Sequence, residues 1–353
     1  MTISTPLKVG VVGLGRGVSL LRVFDQRKDT QVVAVCDLNA ERVEDICKQM
    51  NIKKAYSEYD EFLKHDMDIV VVATPLPYHV ENAIAALECD KHVLSEVPIA
   101  NSIQECELLV KAVKNSKGKF MFAENCNYWY FVEKWRDIVK EGKLGKPTYA
   151  EAEYVHDCRS IMRDSQGNFT WRASMPPIYY CTHSLGPILS ILDDKCLTAV
   201  GMDTGVNVAP DLGAIDMEVG LFRTEKGAII KILCGFSVER KPAFHFYSIY
   251  GTGGCLESIR NTDKFSAYLK EENSQGMEGL PYGRNHPQAP ESATVGGHGT
   301  CEYYMIDAFV ESLLNNQQPP IDVYKGLDYS LPGLCAHLSS KQGGKTVDIP
   351  DLR

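Results

Sequence analysis

The sequence predicts an α/β protein: an N-terminal doubly wound parallel sheet, then a C-terminal α+β domain built on a large, mainly antiparallel sheet. Two patterns carry this expectation. From Leu7 onward, short β-branched runs ("LKVGVVG", "QVVAVCD", "DIVVVAT", "KHVLS", "KFMFAE") alternate with amphipathic stretches such as "NAERVEDICKQM" and "YHVENAIAALEC". Continuous apolar strands separated by helices describe a parallel sheet covered on both faces, and right-handed crossovers wind it doubly. Further along, the period changes to two in "TYAEAEYVHD", "CLTAVGMDT", "AIDMEVGLFR", "GAIIKILCGF" and "FHFYSIYG", with turns such as "TEKG" between them. That alternation describes an antiparallel sheet with one face on helices and the other open. The expected division is residues 1–125 and 126–353, with the amphipathic helix "CEYYMIDAFVESLLNN" returning to pack on the first domain. The open sheet face is the expected surface for a homodimer or homotetramer.

Composition narrows the function classes. At 353 residues, 44% hydrophobic and 24% charged, the chain is long enough for two cored domains. Its net charge of −9, without a basic block, argues against nucleic acid or an anionic membrane as partner and for a small molecule. "MTISTPLKVGVVGLG" has no basic region ahead of an apolar run and enters a strand at once, so no signal peptide is expected. No apolar run is long enough to span a bilayer. Twelve cysteines are scattered without a CxxC pair, which reads as reduced thiols in a cytoplasmic protein. With neither CxxC nor HxxxH spacing, no metal is assigned, although His156, His183 and His298 are the residues a zinc site would need.

The first strand runs into "GLGRG", residues 13–17, where Gly13, Gly15 and Gly17 leave little bulk apart from Leu14 and Arg16. Glycines let the backbone approach a pyrophosphate, and the helix that follows supplies N–H donors. Val18 stands where a third glycine of GxGxxG belongs. Asp37, at the end of the second strand, can accept from ribose hydroxyls and repel a 2′-phosphate, which favours NAD over NADP. "ATPLPYH", "SEVP" and "AENCNY" follow the next strands and point to the same carboxyl edge, where open α/β sheets bind ligands.

Taken in order, "VGVVGLGRG", "VVAVCD", "VVATPLPYH", "KHVLSEVP" and "GKLGKPTYAEAEY" resemble the Gfo/Idh/MocA oxidoreductase family over essentially the whole chain. That family pairs an NAD(P)-binding Rossmann domain with a sheet domain carrying a sugar site. Most of its dehydrogenases have Glu-Lys-Pro where this chain has Glu96-Val97-Pro98, and the lysine assists proton removal from the hydroxyl being oxidised. "SEVP", "ENCNY", "YVHDCR", "WR", "YYCTHSLGPI", "GGHGTCEYYMIDAF" and "VDIPDL" together resemble the NAD-dependent glycosidase branch typified by bacterial α-N-acetylgalactosaminidases. The resemblance implies NAD held tightly and recycled within each turnover. It implies a cofactor set of Leu14, Arg16, Asp37, Thr74, Leu76, Pro77, His79, Glu96, Val97 and Asn125 beside the three glycines. For the sugar it implies Tyr154, Arg172, Tyr180, Thr182 and His183, with His156, Arg159 and His298 behind them. Three departures stand out. Ala243 and Phe244 occupy the place of a further substrate tyrosine, the segment between "HDCR" and "WR" is short, and the export signal common in the branch is missing.

The implied chemistry is transient oxidation at C3 of a hexoside, elimination across C1–C2, water addition and re-reduction. It needs a redox cofactor, one or two bases near neutrality and donors for an enolate oxygen. His183 suits the proton of the C3 hydroxyl because histidine titrates in the working range. Tyr180 and Tyr154 are the other proton-transfer candidates, and the sequence leaves open which group takes which proton. Arg172 presents a planar fork to an oxygen-rich or acidic substituent. Two alternatives remain: an NAD-dependent sugar or inositol dehydrogenase, and a non-catalytic NAD-dependent sensor on the same fold.

Overall fold

The computed structural model describes residues 5–272 and 275–353. The chain forms two units. One contains the chain up to Asn125 with Gln288–Leu327 and Leu352–Arg353, and the other contains Cys126–Pro287 and Asp328–Asp351.

In the first unit, β1 (Leu7–Val12), β2 (Thr30–Cys36), β3 (Lys54–Tyr56), β4 (Ile69–Val72), β5 (His92–Ser95) and β6 (Phe120–Phe122) form a parallel sheet in the order β3-β2-β1-β4-β5-β6. Helices α1 (Gly17–Asp25), α2 (Ala40–Met50), α3 (Tyr59–Leu63), α4 (His79–Glu88) and α5 (Ile103–Asn115) connect the strands. The central strands read as unbroken apolar runs because every side chain is covered: Ile69, Val70, Val71 and Val72 are all fully buried. Two helix starts are fixed by side-chain caps, Asn39 accepting from Arg42 N–H and Ser102 from Glu105 N–H. Strand order reverses between β1 and β4, the position where such sheets open a crevice at their carboxyl ends. The three-residue edge strand β3 is an addition to the sequence expectation.

In the second unit, α6 (Tyr130–Lys140) leads into β7 (Pro147–Val155), followed by the single turn α7 (Trp171–Ser174) and α8 (Thr182–Leu192). Then come β8 (Cys196–Asp203), β9 (Met217–Thr224), β10 (Ile229–Gly235), β11 (Phe244–Gly251), β12 (Gly254–Ser258), β13 (Phe265–Leu269) and β14 (Glu278–Gly279). After α9 (Cys301–Leu314) and α10 (Val323–Lys341), β15 (Val347–Asp348) closes a nine-stranded sheet ordered β14-β13-β12-β11-β7-β10-β9-β8-β15. Every pairing in it is antiparallel except that of β7 with β10. On β7, Ala150 and Ala152 point to the buried face. Glu151 and Glu153 point to the opposite face, where they pair with Lys231 and Arg260. The period-two alternation of the sequence has this two-faced burial as its cause.

Helix α9 belongs to the first unit, so a division at residue 125 leaves 288–327 on the wrong side. The reason is packing: Met305, Ile306, Phe309, Val310 and Leu313 form a buried stripe on α9, and Arg27, just past α1, pairs with Asp307 at 2.5 Å. Phe122 N–H at β6 also donates to Ile321 O at 2.9 Å. Among the described residues no helix is long and apolar enough to cross a membrane, and all twelve cysteines are free thiols.

Candidate active site

The carboxyl edge of the parallel sheet collects the residues the sequence singles out. Gly13 follows β1, Asp37 follows β2, Thr74 follows β4, Glu96 follows β5 and Asn125 follows β6. At Gly13, φ is +85° and a Cβ would lie 2.4 Å from Ala73 O, so only glycine closes this turn against the end of β4. Gly15 has open space around it, with nothing nearer than Arg42 Nη1 at 4.0 Å. The close helix–strand contact usually made by the third glycine is made here by Gly17, one position early, since a Cβ there would sit 2.9 Å from Val11 Cγ1. That removes the apparent defect at Val18.

The residues present fit a dinucleotide. Helix α1 has no acidic residue in its first turn and no side-chain cap, so its positive end favours an anion, although Gly17 N–H donates to Gly13 O and Ser19 N–H to Arg16 O, both at 3.1 Å. Asp37 is held in place by accepting from Leu14 N–H at 2.7 Å and Asn39 N–H at 2.8 Å, with Arg42 at 3.4 Å. Leu76 is buried, Pro77 is exposed, and Thr74 Oγ1 accepts from Asn82. His79 is a brace: its Nδ1 lies 2.8 Å from Pro98 O and its Nε2 2.7 Å from Thr74 O, which ties the ends of β4 and β5 together.

Glu96 has a defined partner. Its carboxylate accepts from Val97 N–H at 3.1 Å and forms an ion pair with Arg16, Nε to Oε1 at 3.0 Å, and Arg16 also pairs with the fully buried Glu302 of α9. His298 Nδ1 lies 3.0 Å from the same carboxylate of Glu302. Burial pushes the Glu302 carboxyl up, but the hydrogen bond from His298 and the charge of Arg16 outweigh it and hold it below its ordinary value. A depressed carboxyl contributes stability above its unfolded value of about 4.5 and loses it as the pH falls through the folded value. Acid thermal melts of wild type are therefore expected to drop more steeply below pH about 4.5 than those of Glu302→Gln.

In the second unit, register builds the cluster. Tyr154, near the end of β7, lies opposite Cys234 of β10 and His245 of β11. Its hydroxyl is 3.1 Å from His156 Nδ1, and His183 meets its ring edge-on at 5.5 Å. Tyr180 meets His183 edge-on at 5.4 Å. Burial, followed by the neighbouring Tyr180, holds the Tyr154 phenol well above the usual tyrosine value, so it carries its proton at neutral pH. Burial and then the Arg172 charge push His156 down, which leaves a neutral imidazole to accept from Tyr154. Arg172 lies over the Trp171 ring at 4.4 Å and 5.8 Å from the Tyr180 ring.

The turn carrying Tyr180 and His183 is fixed from below. Ile178 N–H donates to the buried Glu218 at 3.1 Å, whose other oxygen lies 2.6 Å from His337 Nδ1 on α10. Gly333 lets α10 approach, because a Cβ there would lie 2.5 Å from Ile178 O. Tyr247 donates from its hydroxyl to His183 O.

Three expected substrate residues are placed differently. Arg159 is engaged by Asp157 through Nε at 2.8 Å and Nη2 at 3.0 Å, and by Glu239 at 2.6 Å. Thr182 is fully buried at the start of α8. His298 belongs to the Arg16–Glu302 network of the first unit. Conversely, sequence reasoning passed over Glu218, His245, Glu302 and His337. The alternation of "FHFYSIYG" puts His245 on one sheet face, but only the strand pairing puts it against Tyr154.

The fold and the glycine edge define an NAD-binding oxidoreductase domain, and residues 7–124 match the Gfo/Idh/MocA oxidoreductase family with its NAD-binding Rossmann fold. Residues 211–353 match the C-terminal domain of glycosyl hydrolase 109. The chain is thus similar to the Gfo/Idh/MocA oxidoreductases in its N-terminal part and to glycosyl hydrolase 109 proteins in its C-terminal part. A glycosyl hydrolase family 109 protein of Solibacter usitatus is 28% identical over an alignment covering 98% of this chain and 88% of that one. The alpha-N-acetylgalactosaminidase of Shewanella oneidensis is 27% identical, covering 98% and 85%. A solved levoglucosan dehydrogenase in complex with NADH and levoglucosan superposes with a TM-score of 0.85 at 18% identity, over 98% and 99% of the two chains. At that identity the likeness concerns the fold.

Proposed function

We propose that this chain is an NAD-dependent glycoside hydrolase that cleaves a hexoside, an amino sugar or other modified sugar, by transient oxidation at C3. The observation that carries the reading is the composition of the cluster in the second unit. Within the second unit it offers phenols, imidazoles and one guanidinium, and the carboxylates Asp157 and Glu239 of that unit are both tied to Arg159. Hydrolysis by the usual route needs two carboxyl groups flanking the bond. Bound NAD supplies a reversible oxidation of the C3 alcohol, which acidifies the C2 proton and lets the C1 substituent leave without such a pair. In that oxidation His183 takes the C3 hydroxyl proton, and Tyr180, edge-on to it, shares the relay. The C2 proton passes to the Tyr154 oxygen as the Tyr154 hydroxyl passes its own proton to His156 Nδ1, 3.1 Å away. Arg172, over the Trp171 ring, holds the oxygen-rich ring substituent. Tight retention of NAD, assembly through the open sheet face as a dimer or tetramer, and a cytoplasmic location consistent with twelve free thiols are parts of the same proposal.

The test is a panel of aryl glycosides incubated in D₂O without added NAD, with the sugar product read by NMR. Aglycone release with deuterium at C2 is expected. Stoichiometric NADH with the glycosidic bond intact overturns the proposal and favours the sugar dehydrogenase reading, which has only the fold likeness behind it. Position 97 separates the two. Val97 is 4% exposed beside the Arg16–Glu96 pair, so Val97→Lys buries an ammonium next to a guanidinium. The variant is expected to melt at lower temperature and to gain no net NADH production, measured by thermal denaturation and absorbance.

A further inference from the structure

We infer that His245 is a positioning residue for this site: its ring, stacked on Tyr154, keeps the Tyr154 hydroxyl on His156 Nδ1. The two rings lie 4.3 Å apart between centroids with 9° between their planes. The arrangement is a cross-strand pair, since His245 of β11 stands in register with Tyr154 of β7, and opposed aromatic side chains at that spacing restrain each other's rotamers.

The other ring and hydrogen-bond contacts of Tyr154 among the described residues lie at its rim. His156 takes the hydroxyl end, and His183 at 5.5 Å, Phe236 at 5.3 Å and Tyr180 at 6.3 Å approach at steep angles. A phenol held at its rim can still rock about its long axis, and a ring lying flat on its face stops that motion. His245 is itself fixed from two further directions. Trp129 meets it edge-on at 5.1 Å, and Tyr247 lies parallel at 6.3 Å with its hydroxyl 3.5 Å from His245 Nδ1. Because Tyr247 gives its own proton to His183 O, one tyrosine hydroxyl touches both the loop bearing His183 and the ring that backs Tyr154. The two proton-handling groups, Tyr154 and His183, are thereby referred to one rigid patch of β11.

That Tyr154 handles a proton rests on the function proposed above, so the test has one arm that does not depend on it. In histidine-labelled wild-type protein, nitrogen NMR is expected to show His156 Nδ1 as a hydrogen-bond acceptor, and Tyr154→Phe to abolish that signature. His245→Leu is expected to lose it as well, and His245→Phe, which keeps a flat ring, to retain it. In the kinetic arm, His245→Leu is expected to lower kcat about tenfold with KM unchanged, and His245→Phe to stay within about twofold of wild type. The Leu and Phe variants keep an apolar side chain on the strand, so equal folding is checked by their melting curves. An unchanged His156 signature in His245→Leu overturns the inference whatever the activity. An altered signature in protein that cleaves no glycoside upholds the positioning role and overturns the function instead. If His245→Phe loses the signature as fully as His245→Leu, stacking is not the means and the inference fails.

Discussion

His183→Ala is expected to abolish glycoside turnover, with kcat falling about 10²–10⁴-fold, the range a positioned general base contributes. The protein should remain folded. What anchors α8 is its apolar face, with Leu185, Ile188, Leu189 and Ile191 buried, and the Tyr247 bond is to the backbone carbonyl of His183, which alanine keeps. NAD content after purification should match wild type, because Gly13, Gly15 and Gly17 belong to the first unit and His183 to the second. Measuring aglycone release, bound NAD and melting temperature on one preparation separates these effects. An active His183→Ala enzyme would refute the relocation of the alcohol proton from position 97 to the "YYCTH" turn.

The second large effect is expected at Gly13. Alanine there must adopt φ near +85° and place its Cβ 2.4 Å from Ala73 O and 2.6 Å from Thr74 N, so the ends of β1 and β4 have to separate. The left-handed conformation alone costs a non-glycine residue about 1–2 kcal/mol, and the clash adds to it. Gly13→Ala should therefore melt several degrees lower and purify without NAD. Gly15→Ala is the contrast: the protein around it is open, so the melting curve of the NAD-free protein should hardly move. Only NAD affinity, measured by calorimetry, should fall, because the added methyl meets the pyrophosphate rather than the protein. Equal destabilisation by both substitutions would contradict the geometry of the turn.

What was legible in the sequence follows from how locally each feature is determined. The apolar runs from Ile69 to Val72 and from His92 to Ser95 can be read because burial on both faces writes itself into consecutive residues. Strand β3, three residues long and largely exposed, carries no such signal, and neither do the two-residue strands β14 and β15. Among site residues, Gly13, Asp37 and the Tyr180–His183 turn announce themselves through neighbours in sequence. Arg159 looks like a ligand because a surface arginine's partners are invisible in a motif, and Glu239, which engages it, comes 80 positions later. His245, Glu218 and Glu302 were illegible for the same reason. Each acquires meaning only from strand register or helix docking, which a single sequence states nowhere.

The assignment of α9 to the first unit has a consequence for how the protein is made. One of the two carboxylates paired with Arg16, Glu302, lies near the far end of the chain, so the nucleotide domain cannot be completed when its own strands leave the ribosome. At about 5–20 residues per second, the gap between synthesis of the two partners is tens of seconds or less, and during it Arg16 has Glu96 without Glu302. The same interleaving means that a fragment ending at Asn125 would expose the surface of α1 that α9 covers and leave Arg16 with Glu96 alone. Excision at that boundary would give an aggregating fragment, whereas a fusion of residues 1–125 to 288–327 through a short linker restores Glu302 to Arg16 and Asp307 to Arg27.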